Sequence, residues 1–116
     1  MQRESYAKWL LIAGLAFVFG YFGIDKFVHP DIWIGWMPMW MEGLMGMTRE
    51  MWLPIIGASE VMLAVMLIIP VRIIQRIGAI LVALHLVAIL TQVGWNDIGI
   101  REIGLLMSAL SLAFLL

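Results

Sequence analysis

Residues 51–95 read MWLPIIGASEVMLAVMLIIPVRIIQRIGAILVALHLVAILTQVGW, two apolar runs back to back with only Pro70 between them. A bilayer-crossing helix takes about 20 predominantly apolar residues, so the first run predicts a span over 51–69 and the second a span over 71–93. Pro70 sets the break, because proline cannot continue a helix that is already under way. An ionisable side chain, Glu60 in the first run and His85 in the second, stands near the middle of each.

The same reading extends outward in both directions. Residues 6–27 and 97–116 each form a further apolar stretch of spanning length. Four spans joined by short connections use nearly all of the 116 residues and leave room for a single domain. The predicted fold is therefore all-α, an integral membrane four-helix bundle. Composition agrees: 64% of residues are hydrophobic and 13% charged, with a mean hydropathy of +1.03, whereas soluble domains carry roughly a quarter charged residues. The N-terminal Arg3 and Lys8 before an apolar run resemble a signal peptide, but no small-residue cleavage site follows, and the run is read as an uncleaved first span.

A net charge of -1 without basic or acidic tracts gives no indication of a nucleic-acid partner. With no cysteine the chain has no disulfide, no dithiol chemistry and no thiolate metal ligand. Neither a P-loop nor a dinucleotide fingerprint occurs among the glycines. Redox chemistry would thus need a partner or a diffusible cofactor. Basic residues set the orientation: Arg3, Lys8, Arg72 and Arg76 face only Glu4, whereas Lys26, Arg49 and Arg101 share the other side with Asp25, Asp31, Glu42, Glu50, Asp97 and Glu102. Both termini are expected in the cytoplasm.

Small and polar residues stripe each span. Ala13, Ala16, Gly20, Gly23 and Lys26 share one face of the first, Gly57, Glu60 and Ala64 one face of the second, and Gly78, His85 and Gln92 one face of the third. Arg101, Gly104, Ser108 and Ser111 form the corresponding stripe of the fourth. Such stripes let helices approach closely in lipid. Between the first two spans, Trp33, Trp36, Met37, Trp40, Met41 and Leu44 follow helical spacing interrupted by Pro38, which predicts one or two short interfacial helices forming a lid over the outer end of the bundle. Trp33, Trp36 and Trp40 are the expected interface to lipid headgroups or a partner. Met37, Met39, Met41, Met45 and Met47 offer thioethers suited to Cu(I), but without a cysteine they are read as packing, not as a metal site.

At about 1.5 Å per residue, Glu60 lies roughly 12 Å below the boundary at Trp52 and His85 roughly 13 Å below the one at Gly94, so the two share a depth. Lys26, Asp97 and Arg101 lie above them at the mouth. Ionisable groups at membrane depth are costly and face the bundle interior or a wet cavity. Glu60 and His85 are therefore the candidate proton-acceptor pair, with Lys26, Asp97 and Arg101 as candidate binding residues. A structural alternative stands beside this: Glu60 as a protonated acid bonded to His85 or a serine, with Lys26 and Arg101 snorkelling to acids at the interface.

Three segments, Gly20-Tyr21-Phe22-Gly23-Ile24-Asp25-Lys26-Phe27 with His29-Pro30, Gly57-Ala58-Ser59-Glu60, and Asn96 through Leu106, occur in an order that resembles the DoxX family of small four-span membrane proteins of bacteria and archaea. The resemblance implies a four-helix bundle in the cytoplasmic membrane, with Lys26, Glu60 and Arg101 at the family's charged positions. It also implies work beside other membrane subunits, since relatives include the membrane subunit of thiosulfate:quinone oxidoreductases and members tied to thiol redox. The expectation is a membrane subunit supporting quinone-linked redox chemistry. Two alternatives remain open: a non-catalytic assembly subunit, and a proton-coupled small carrier that would have to oligomerise.

Overall fold

The computed structural model describes residues 2–116, and of Val93 the backbone alone. Five α-helices follow one another, α1 (Gln2–Val28), α2 (Pro30–Ile34), α3 (Arg49–Ile68), α4 (Arg72–Val93) and α5 (Asp97–Leu115), with two short 3-10 turns, Met39–Met41 and Leu44–Gly46, between α2 and α3. Four of them, all but α2, are long and apolar enough to cross a membrane. Their ends follow local chemistry. Thr48 caps α3 by accepting from the Met51 amide, and Asn96 caps α5 by accepting from the Gly99 amide at 2.9 Å. Gly94 ends α4 with φ +77°, and a side chain at Gly99 would run into the Gly94 carbonyl, so the α4–α5 turn needs glycine at both positions. Pro54 sits in the second turn of α3, not the first, because the Thr48 cap starts the helix at Arg49.

The long helices form a ring in which α1 packs on α3, α3 on α4, α4 on α5, and α5 back on α1. We call the end holding the chain termini and the α3–α4 turn the terminal end; the opposite end carries α2 and the 3-10 turns and is the lid end. The main core fills the terminal half, with Ile12 and Leu15 of α1, Leu63 and Leu67 of α3, Val82 and Leu86 of α4, and Ala109 and Leu112 of α5 all buried. Two polar contacts close this end. Buried Gln75 donates to the Leu67 carbonyl at 3.0 Å, and the Arg72 guanidinium donates to the Leu116 carbonyl. A smaller cluster of Met37, Met41 and Leu53 seats the lid on α3. The outward faces remain apolar, with Leu10, Phe17, Ile73, Leu84 and Phe114 all exposed.

The glycine stripes of α1 and α3 meet. A Cβ on Gly23 would come within 2.8 Å of the Gly57 carbonyl oxygen, and one on Gly57 within 2.8 Å of the Gly23 carbonyl oxygen, so each glycine makes room for the other backbone. The stripe expected on α5 splits: Gly104 and Ser111 are exposed, Ala109 and Leu112 take the inward face in the core, and Arg101, itself exposed, opens onto the lid-end cavity. Ser108 meets its hydrogen-bonding need within its own helix, donating to the Gly104 carbonyl at 3.0 Å, so it has no reason to turn inward. Ala13 is exposed as well.

Gly23→Leu and Gly57→Val are expected to cost about 1–3 kcal/mol each, the usual range for overpacking, read as a fall in the unfolding midpoint in detergent. Gly14, with nothing within 4 Å of its added Cβ, is the control. Gly14→Ala should leave stability unchanged or raise it by up to about 1 kcal/mol through helix propensity.

Candidate functional site

Lys26 lies one turn from Gly23 toward the lid end and Glu60 one turn from Gly57 toward the terminal end, so each packs against the opposite helix's glycine. The crossing that brings Gly23 onto Gly57 brings these side chains together, with Lys26 Nζ 2.6 Å from Glu60 Oε1. Both are buried, at 9% and 4% exposure. Glu60 Oε1 has no other partner among the described residues. Its second oxygen, Oε2, stands 3.3 Å from His85 Nε2 on α4. The carboxylate thus bridges an ammonium from one neighbouring helix and an imidazole from another. Phe19 packs its edge against the His85 ring, with centroids 5.4 Å apart. Burying a single charge is very costly, and pairing makes it tolerable.

The expected Glu60 and His85 pair is therefore brought together, and Lys26 joins it. That last placement corrects the expectation for Lys26, which does not snorkel to an acid at the mouth: α1 continues to Val28 and keeps Lys26 inside its packed face. The serine alternative for Glu60 is not realised, since Ser59 donates to the Ile56 carbonyl of its own helix at 2.7 Å.

Above this floor opens a cavity of about 590 Å³, within the roughly 300–1,000 Å³ usual for small-molecule sites. Phe19, Phe22, Trp33, Trp36 and Trp40 give it aromatic walls, and Lys26, Glu60 and His85 line it together with Arg101 and Glu102. The tryptophans expected as an outer interface thus take part in the site itself, although Trp36 and Trp40 remain partly exposed to the outside. Met37 and Met41 line the cavity and pack on Leu53.

Helical geometry sorts the α5 candidates. Ile98, Arg101, Glu102 and Leu105 fall at i, i+3, i+4 and i+7 and share the wall of the cavity. Asp97, one position off that face, is exposed and lies outside the wall, at the first turn of α5 where its charge suits the helix N-terminus. Glu102, by contrast, is half-buried and within electrostatic reach of Glu60, His85 and Lys26. Charge distribution alone puts Glu102 with the other acids of the lid end, and its i+4 spacing from Ile98 is the signal that selects it.

A final set of contacts ties the lid to the floor. The Trp33 ring covers Lys26 Nζ at 4.1 Å, its indole N–H donates to Asp25 Oδ2 at 2.8 Å, and His29 Nδ1 lies 2.8 Å from Asp25 Oδ1.

Removing one member of the buried pair should destabilise more than removing both. Glu60→Leu or Lys26→Met alone is expected to cost about 3–5 kcal/mol, and the double variant less than either. Denaturant unfolding in micelles measures the cycle, and additive losses would contradict the pairing.

Compared with protein-family models, curated proteins and solved structures, the chain finds no match.

Proposed function

We propose that the protein is a DoxX-like integral membrane subunit, in the cytoplasmic membrane of a bacterium or archaeon with both termini cytoplasmic, and that its cavity receives the headgroup of a quinone. The observation that carries this reading is the floor of the cavity: an ammonium, a carboxylate and an imidazole in contact beneath aromatic walls. A quinone ring is flat and apolar, and its two carbonyl oxygens need donors. Lys26 and His85 offer N–H groups to one such oxygen, with Glu60 holding both in place. Reduction to the quinol adds two electrons and two protons. The electrons come from a partner redox subunit, as the chain has no cysteine and no cofactor-binding motif. The protons pass through His85 and Glu60, the imidazole and carboxyl in contact at the cavity floor.

The apolar outer faces and the four long helices support the membrane setting. A second reading is favoured by the lid alone, where Met39, Trp40 and Met45 are highly exposed: a non-catalytic subunit whose lid docks on a larger complex.

Titration of the purified protein with a short-tailed quinone is expected to quench tryptophan fluorescence saturably, since three tryptophans line the cavity. Glu60→Gln should weaken binding roughly ten-fold, the equivalent of about 1.4 kcal/mol. Absence of saturable quenching in the wild type would favour the assembly reading. The lack of native cysteine also makes orientation directly measurable. In whole cells a membrane-impermeant maleimide should label Trp95→Cys, at an exposed position of the α4–α5 turn, and spare Arg76→Cys; the opposite pattern would invert the topology.

A further inference from the structure

The Lys26 ammonium is enclosed on three sides. An ammonium carries three donors. Glu60 Oε1 lies 2.6 Å from Nζ as its ion-pair partner, the ammonium donates to the Phe22 carbonyl at 3.4 Å, and the Trp33 ring covers a further side with its centroid 4.1 Å from Nζ. Trp33 lies on one of the sides from which a ligand oxygen would approach Nζ.

Trp33 is held there by more than packing. Its indole N–H donates to Asp25 Oδ2 at 2.8 Å, and its ring meets Phe22 edge to face at 5.3 Å between centroids. The other oxygen of Asp25 is taken by His29 Nδ1 at 2.8 Å, and the His29 amide donates to the Asp25 carbonyl at 2.7 Å. Asp25 and His29 are thus oriented within one turn of chain, before α2 folds back to deliver Trp33. The same α1–α2 junction that anchors the indole also places its π face, which attracts a cation, on the Lys26 ammonium.

We infer that Trp33 is a cap occupying the ligand's position on Lys26, and that Asp25 is the positioning residue that holds the cap closed. This rests on the cavity being a ligand site, as proposed above. Binding then begins with the indole leaving Asp25, which frees one donor of Lys26 for a carbonyl oxygen and leaves the Trp33 face beside the incoming ring. The cap keeps the Lys26–Glu60 pair dry while the cavity is empty and limits it to ligands able to displace an aromatic ring.

Lys8 and Lys26 are the only lysines of the chain, which allows an internal control. The whole protein in detergent is treated with a neutral N-hydroxysuccinimide acetate, and acetylation of the two lysines is followed by peptide mass spectrometry. Asp25→Ala and Trp33→Phe, the latter keeping a ring but losing the N–H, should each raise the Lys26 rate relative to Lys8 by roughly ten-fold, as expected for loss of a hydrogen bond to a charged group. Asp25→Asn, which retains an oxygen for the indole, should fall between them and the wild type. His29→Ala removes an exposed side chain outside the packed bundle, so it yields a folded protein on which a smaller rise is expected even if another variant fails to fold. An unchanged Lys26 to Lys8 ratio in variants that keep the wild-type unfolding midpoint overturns the cap. Quinone titration of the same proteins separates the two ideas. Tighter binding by Asp25→Ala than by wild type supports the cap. Lys26 unmasked with no quinone bound by any form keeps the cap and overturns the quinone reading, while unchanged acetylation with normal quinone binding does the reverse.

Discussion

A buried ammonium and a buried carboxylate, 2.6 Å apart where α1 crosses α3, are the constraint on which the lid end of this protein depends. Neither charge tolerates that environment alone. Their meeting is prepared by shape, because Gly23 and Gly57 lie one turn away on the same faces and let the backbones approach until each glycine nearly touches the other's carbonyl. Close approach and charge pairing are one device. The glycines set the distance, the ion pair penalises any sliding of one helix along the other, and the second carboxylate oxygen then fixes where α4 must bring His85.

This division produces a bundle with two unlike halves. Toward the termini, leucine, isoleucine, valine and alanine from all four long helices fill the centre. Toward the lid the same helices present aromatic rings and five ionisable groups around open space. On α5 the change occurs within the helix: Ala109 and Leu112 are buried in the core, whereas Arg101 and Glu102 face the cavity. Packing at one end holds the helices together well enough for the other end to stay hollow.

Much of this was legible in the chain. The long helices are marked by apolar runs of spanning length and by breaks at Pro70 and Gly94, which act through local backbone chemistry. The shared level of Glu60 and His85 follows from helix rise alone, and their approach to 3.3 Å agrees with it. What stayed hidden depends on how elements turn relative to one another. Lys26 lies so near the end of its apolar run that sequence alone places it at a boundary, and only the α1–α3 crossing turns it inward. Trp33 reaches Lys26 through the reversal at His29, a bend that no periodicity encodes. Asp97 and Glu102 look equivalent as mouth acids until the α5 cap at Asn96 fixes the helical phase and puts one outside and the other on the wall. Gln75, one polar residue between Arg72 and Arg76, gave no sign that it would fasten the α3–α4 turn.

The hollow end also has a consequence for motion. Backbone amides open in cooperative groups whose free energies follow local packing, and α5 runs from a dense core into a cavity wall. Its two halves should not open together. The segment around Arg101 and the lid can loosen in brief excursions while the helix around Leu112 stays shut, so the cavity can open without the molecule ever sampling global unfolding.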